Sequence, residues 1–326
     1  MVSRLKNAFH LEFECYEARF KRIREKGMKV GVCCEFPGPF SSGDFLRRSG
    51  QTAERVGFSS YWFGDHVLLF GSYESKYPYG GVTDWGNDEP PIPDPTLPFV
   101  DPVMGMCWVA AATSTIEIGT SIIILPQRNP VVLAKEIACL DEMSGGRVTL
   151  GVGVGWCKEE AEAIGVDWAR RGKLTDEYID VMRTLWTEDA AEFHGDTISF
   201  SDAYMYPRPV NGTLPLMVGG DTGIAMRRVA RAGDGWLAYA VPVDEMAGKV
   251  EQLRETTREQ GRNPDDLRIS KAIFSYTTKE DLERLRDAGV TEFLLFKSGE
   301  LSFDDAELNE QLEEAADKFV ETVKDW

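Results

Sequence analysis

Gly145-Gly146-Arg147-Val148-Thr149-Leu150-Gly151-Val152-Gly153-Val154-Gly155-Trp156 is the stretch on which the reading of this 326-residue chain turns. Residues 148–152 are a run of β-branched and apolar residues and read as a short buried strand. Glycines at 151, 153 and 155 follow at alternate positions, and a helical segment begins near Lys158-Glu159-Glu160. Glycine lets a backbone approach a ligand that side chains would exclude. A strand, a glycine turn and a helix start together form an anion cradle, because the free N–H groups of the first helical turn point outward. A tight turn that holds no ligand has the same local sequence, so the surroundings must decide.

From Met28 onward those surroundings alternate between strand and helix. Strand-like runs lie at 29–34, 60–64, 116–123, 148–152, 214–218, 235–239, 267–273 and 292–296. Helical patterns separate them at 42–56, 101–112, 130–143, 174–185, 224–232, 244–259, 280–288 and 304–323. Ser42 or Asp44 is placed to cap the first of these, and Pro130 sits in the first turn of the third, where its missing N–H is harmless. Strand–helix alternation implies parallel pairing with right-handed crossovers, and eight such units close a (β/α)8 TIM barrel. A doubly wound sheet is the competing architecture. It would carry the glycine loop in its first unit, spaced GxGxxG; here the loop follows the fourth strand and position 156 is Trp.

Two connections are long. Residues 65–100, after strand 2, carry six prolines among aromatic and acidic residues. Residues 189–213, an insertion between helix 4 and strand 5, carry His194-Gly195-Asp196 and read as a hairpin. Long loops in a compact domain are usually functional, and both shape a pocket at the C-terminal face of the barrel.

Composition narrows the function. Forty-three per cent of residues are hydrophobic, enough for a large core, and no run of about 18 apolar residues marks a membrane span. The net charge of −18 argues against nucleic acid as a partner. Cysteines at 15, 33, 34, 107, 139 and 157 form no CxxC, which fits a reducing, cytoplasmic compartment and no zinc site. Histidines at 10, 66 and 194 are too scattered for a histidine-rich metal site. Residues 1–27 stand apart as an amphipathic helical extension, with Leu5, Phe9, Phe13, Tyr16, Phe20 and Ile23 on one face. The four glutamates in this segment argue against a transit peptide. It reads as a helix packed on the main domain or on a partner subunit, and the barrel spans 28–326.

Phe63-Gly64-Asp65-His66, Ala110–Thr115 with Ile118-Gly119-Thr120-Ser121, 125–135, Ser144-Gly145-Gly146-Arg147, 151–156, Val218-Gly219-Gly220 and Ala232-Gly233-Asp234-Gly235-Trp236 occur in one order over some 200 residues. In that order they resemble the bacterial luciferase-like superfamily of flavin and deazaflavin oxidoreductases. The Gly-Val-Gly-Val-Gly-Trp form, Tyr77-Pro78-Tyr79 and Ala169-Arg170-Arg171-Gly172 are similar to its coenzyme F420-dependent branch.

The resemblance implies a flavin-shaped cofactor, F420 or alternatively FMN, across the barrel mouth. Its phosphate end would meet Gly153-Val154-Gly155-Trp156 and Gly219-Gly220-Asp221-Thr222. Asp221 departs from an all-neutral anion site and is expected to cap the following helix. Arg170, Arg171, Lys173, Arg227 and Arg228 stand near enough in sequence to meet an anionic tail, or are solvated helix-face charges. The resemblance also implies a non-proline cis peptide at Ser121–Ile122.

Asp65 and His66 end strand 2, where barrel enzymes carry catalytic groups, and His66 suits a general base or a hydrogen bond to cofactor or substrate. Sugar-dehydrogenase relatives have an acid after the strand-4 glycines, where this chain has Trp156, with Glu159 and Glu160 following. Glu35, at the end of strand 1, is another pocket acid; His194 reads as a turn residue. The expected activity is hydride transfer between F420 and a small organic substrate. FMN-linked monooxygenation fed by a separate reductase is the alternative, and a non-catalytic flavin-binding barrel the third. Relatives of this kind imply a homodimer.

Overall fold

The computed structural model describes residues 27–34, 37–79, 94–297 and 299–326. The amphipathic extension, except Gly27, and Glu35 therefore lie outside the described residues. The strands are β1 (Lys29–Cys33), β2 (Ser60–Phe63), β3 (Glu117–Thr120), β4 (Ile123–Ile124), β5 (Val148–Gly153), β6 (Ala191–His194), β7 (Ser199–Ala203), β8 (Leu216–Gly219), β9 (Gly235–Ala238), β10 (Arg268–Phe274) and β11 (Glu292–Phe296). Parallel pairing runs β3-β2-β1-β11-β10-β9-β8-β5, and β5 pairs back onto β3 and β4, closing the ring. With β3 and β4 as halves of one interrupted strand, the sheet is the eight-stranded (β/α)8 barrel expected from the alternation. No helix among the described residues is long and apolar enough to cross a membrane.

Helices α1 (Gly43–Arg55), α2 (Pro102–Ala112), α3 (Pro130–Ser144), α4 (Lys158–Ala163), α5 (Arg171–Thr187), α6 (Gly223–Ala232), α7 (Val243–Glu259), α8 (Lys279–Asp287) and α9 (Asp305–Ala315) surround it. Local chemistry sets their starts. The Ser42 hydroxyl accepts from the Phe45 amide, Asp101 from Val103 and Met104, and Asn129 from Val131 and Val132. The single helix expected after the glycine strand is two, α4 and α5, with a 3-10 turn between. The insertion at 189–213 does contain an antiparallel hairpin, β6–β7, and His194 sits in it, bonded to Ser199 and Glu192.

Strand 116–123, expected to be continuous, is broken at Ser121–Ile122, where the peptide bond is cis as expected. Gly119 pairs with Thr149 and Ile123 with Val152, so one strand spends one residue more than the other: a bulge. The Thr120 hydroxyl fills the gap, accepting from the Gly151 amide and donating to the Gly151 carbonyl (3.0 and 2.7 Å).

The barrel interior is layered. At its N-terminal end Arg268 donates to both oxygens of Glu292 (2.7 and 2.6 Å) and to Glu117 (2.6 Å). Ser60 and Ser270 also donate to Glu292, and Trp62 donates to the Ser60 hydroxyl. Burial opposes both charges. Arg268 nevertheless holds Glu292 below the ordinary carboxylate range, and the two glutamates hold the guanidinium above its own. Cys33, Trp62, Met217, Leu237 and Leu294 form the apolar layer above, with Ile122 and Phe296 resting on it. The larger core lies outside the ring, between strands and helices.

Candidate functional site at the barrel mouth

The glycines of β5 serve the strand beside them before any ligand. A Cβ on Gly151 would stand 1.9 Å from the Thr120 carbonyl oxygen, and one on Gly153 2.6 Å from Ile122 Cδ1. On β8, a Cβ at Gly219 would stand 2.8 Å from Ile122 Cγ2. Ile122, carried inward by the bulge, thus rests on both glycine strands. At Gly151, Gly153 and Gly219 the expectation of close backbone approach is met, but the occupant is the chain itself.

Beyond the strands the cradle reading applies. Gly155 and Gly220 have φ of 77° and 113°, left-handed values that favour glycine. The amides of Gly155, Trp156, Asp221 and Thr222 donate to no acceptor among the described residues. Both loops, 153–156 and 219–222, thus end in unsatisfied donors ahead of a helix, a donor set suited to an anion. Asp221 does not cap α6. Thr222 does, its hydroxyl accepting from Ala225, because the cap residue is the one directly before the first helical turn. The Asp221 carboxylate turns instead to the Ala240 amide (3.3 Å); its Oδ1 is buried without a partner, and burial pushes the carboxyl up.

The arginines suggested for an anionic tail divide. Arg170 pairs with Asp196, and buried Arg228 pairs with Asp176. Arg171 lies over the Trp168 ring (3.6 Å) and has no carboxylate partner among the described residues; its Nε is buried and unpaired. Lys173 and Arg227 make no ion pair among the described residues.

Asp65 and His66 are adjacent and do different work. Asp65, 5% exposed, accepts from the Ile124 amide (2.8 Å) and from Arg128 (2.7 Å), which also pairs with Asp101. Burial weakens the Arg128 charge less than these two carboxylates strengthen it, so the guanidinium is held above its ordinary value. Asp65 therefore anchors the strand just past the Ile122 bulge. His66 Nδ1 lies 2.9 Å from Glu160 Oε2. The other Glu160 oxygen accepts from the Val67 and Leu68 amides (2.5 and 3.1 Å). Burial alone would raise the Glu160 carboxyl, but His66 and the two amides hold it below its ordinary value. An ionised carboxylate only accepts, so Nδ1 must carry the proton, and in the neutral ring the free lone pair falls to Nε2. Nε2 has no partner among the described residues.

Of the acids the sequence offered, Glu159, Glu160 and Glu35, the first two lie among the described residues, and the one that pairs with His66 is Glu160. It projects from the first turn of α4, and its neighbour Glu159 accepts from the Ser75 amide (2.9 Å) and the Glu74 amide. Burial opposes the Glu159 charge, and these bonds hold the carboxyl down at about 2. The two glutamates thus pin the long loop after β2 to the helix after β5. Trp156 packs between loop rings, with Tyr73 at 5.6 Å, Tyr77 at 5.3 Å and His66 at 5.8 Å. Cys33 and Cys34 are buried; burial and then the neighbouring Cys33 raise the Cys34 thiol, which rules against a reactive thiolate.

The sequence matches the luciferase-like monooxygenase family across residues 28–323. The chain belongs to that family. This luciferase-like chain is 31% identical to an uncharacterized protein of Mycobacterium tuberculosis over 79% of its own length and 88% of the relative's. It is 32% identical to the F420-dependent glucose-6-phosphate dehydrogenase of Amycolatopsis mediterranei, over 72% of this chain and 66% of that one. Among solved structures, an F420-dependent secondary alcohol dehydrogenase in complex with an F420-acetone adduct superposes with a TM-score of 0.71 at 20% identity, covering 91% of this chain and 99% of that one.

Proposed function

We propose that this protein is an oxidoreductase that transfers hydride between coenzyme F420 and a small organic substrate held at the barrel mouth. The observation that carries the reading is the His66–Glu160 pair against Trp156 of the 153–156 loop, whose Gly155 and Trp156 amides, like those of Asp221 and Thr222, find no acceptor among the described residues. Residues 153–156 and 219–222 would hold the phosphate end of the cofactor, with Arg171 and Trp168 near the start of α5 available to its anionic tail. A bound deazaflavin supplies a two-electron hydride acceptor or donor. The chain supplies the proton chemistry. As a carbinol carbon gives up hydride, His66 Nε2 takes the hydroxyl proton and leaves a carbonyl; in the reverse direction the same nitrogen returns it. Glu160 fixes the tautomer that makes this possible, while Asp65 and Arg128 hold the mouth in shape.

Calorimetric titration with F420 and with FMN, each oxidised and reduced, tests the assignment. Binding of F420 at least about tenfold tighter than FMN is expected, a difference of about 1.4 kcal/mol. Tight FMN binding without F420 binding supports the monooxygenase alternative instead.

The proposal includes a homodimer. Helix α2 is apolar on all sides, and Met104 and Trp108 on it stand exposed, as do Val131 and Val132 of the neighbouring helix α3. A second copy of the chain is the occupant proposed for this face. Sedimentation of the intact chain should give twice its mass, and Trp108→Lys should return it to 36.5 kDa.

A further inference from the structure

The mouth is lined by one continuous run of aromatic contacts. Tyr73 and Tyr77 each meet Trp156; Tyr77 meets Tyr79 at 5.5 Å, and Tyr79 meets Tyr239 at 5.4 Å. Tyr239 continues the run to Phe296 at 5.1 Å and Phe274 at 6.1 Å. His66 joins its first ring, so the proton-handling nitrogen belongs to a chain of ring faces and edges. On the same loop, just past His66, Val67 and Leu68 expose apolar side chains.

The cations at the strand ends are engaged. Arg128 is bonded to Asp65 and Asp101. Lys297 lies 3.1 Å from Glu300, and buried Lys271 donates to the Tyr239 and Ala272 carbonyls (2.9 and 2.8 Å). A dianionic substrate placed against this arc would lose water and meet ring faces, whose quadrupole repels negative charge. Glu159 and Glu160 in the first turn of α4, and Asp221 on the loop after β8, add to that repulsion. An uncharged flat molecule instead finds stacking surface on several sides.

We infer that the substrate is an uncharged, planar, largely apolar molecule with one carbonyl or carbinol carbon, and not a phosphorylated or carboxylated one. This deepens the proposed function and rests on it for the site, while the preference itself is a property of the chain.

Acetophenone and glucose 6-phosphate are the probes, titrated calorimetrically into the F420-loaded protein and into the cofactor-free chain. Acetophenone should bind at least about tenfold more tightly in both. Tyr77→Leu should weaken acetophenone about fivefold, and Tyr77→Phe, which keeps the ring, should restore it to within about twofold. Glucose 6-phosphate binding as tightly as acetophenone, or a Tyr77→Phe variant as weak as Tyr77→Leu, overturns the inference. Failure of F420 to bind is read separately in the same titrations. It overturns the cofactor assignment, while the cofactor-free arm still decides the substrate class.

Discussion

The two ends of the barrel use the same residue types to opposite ends. At the N-terminal end buried Glu292, Ser60 and Ser270 and half-buried Arg268 and Glu117 are bonded to one another. At the C-terminal end, among the described residues, His66 Nε2, the buried Asp221 Oδ1 and four loop amides have no hydrogen-bond partner. Polar groups inside a protein are normally paired, and Ser59, Arg208 and Asn211 outside the mouth also bury an unpaired atom. It is therefore the grouping of His66, Asp221 and the loop amides on the catalytic face of a barrel that marks where the chain expects another molecule. The paired end fixes the shape of the barrel and the unpaired end leaves it something to bind.

That contrast can be broken by mutation. Arg268→Ala strands the buried Glu292 carboxylate and the half-buried Glu117 and should cost about 3–5 kcal/mol in denaturant unfolding, while the folded fraction keeps its turnover. The double variant R268M/E292Q should recover much of the loss, since the penalty lies in the unpaired charge. His66→Ala should do the reverse, lowering kcat about 10²–10⁴-fold at a smaller stability cost than Arg268→Ala, since the Val67 and Leu68 amides still bond the buried Glu160 carboxylate. A large stability loss in His66→Ala, or a turnover loss in folded Arg268→Ala, would erase the distinction between the ends.

Glu160→Gln sharpens it further. An amide presents either NH₂ or C=O to Nδ1 and no longer imposes one tautomer, so kcat should fall about 10–100-fold while affinity for the proposed flavin or deazaflavin is nearly kept. Gly153→Ala crowds Ile122 and should cost about 1–3 kcal/mol, read as a lower melting temperature. The smallest effect is expected from Glu159. Its folded pKa lies below its ordinary value, so its contribution is present above about pH 4.5 and is lost as pH falls toward about 2. The melting-temperature gap between the native chain and Glu159→Gln should therefore close over that window.

The barrel was legible because eight strand–helix units repeat in order and helix starts carry local signals, such as Ser42 as a cap and Pro130 in a first turn. His66 was legible because its position at a strand end is a local fact. Glu160 was not, because its role comes from contacts with residues 92 to 94 positions away, brought close only by the loop after β2. The Arg268–Glu292 pair hid for a related reason: polar Arg268 and Ser270 at alternate positions in β10 look like a solvent-facing edge until the ring closes over them. The glycine stretch was half legible. Only Gly155, with its left-handed φ past the strand end, keeps the geometry read as a cradle, whereas Gly151 and Gly153 answer to Thr120 and Ile122 on the neighbouring strand.

Helix α4 is only six residues long, yet it carries both glutamates that hold His66 and the loop. A helix of that length has little stability of its own and persists through its tertiary contacts. Its opening therefore needs far less free energy than the melting of the barrel. On heating, catalysis should fade while circular dichroism still reports a folded ring, and a ligand that presses the loop onto α4 should raise the temperature of inactivation more than the temperature of unfolding.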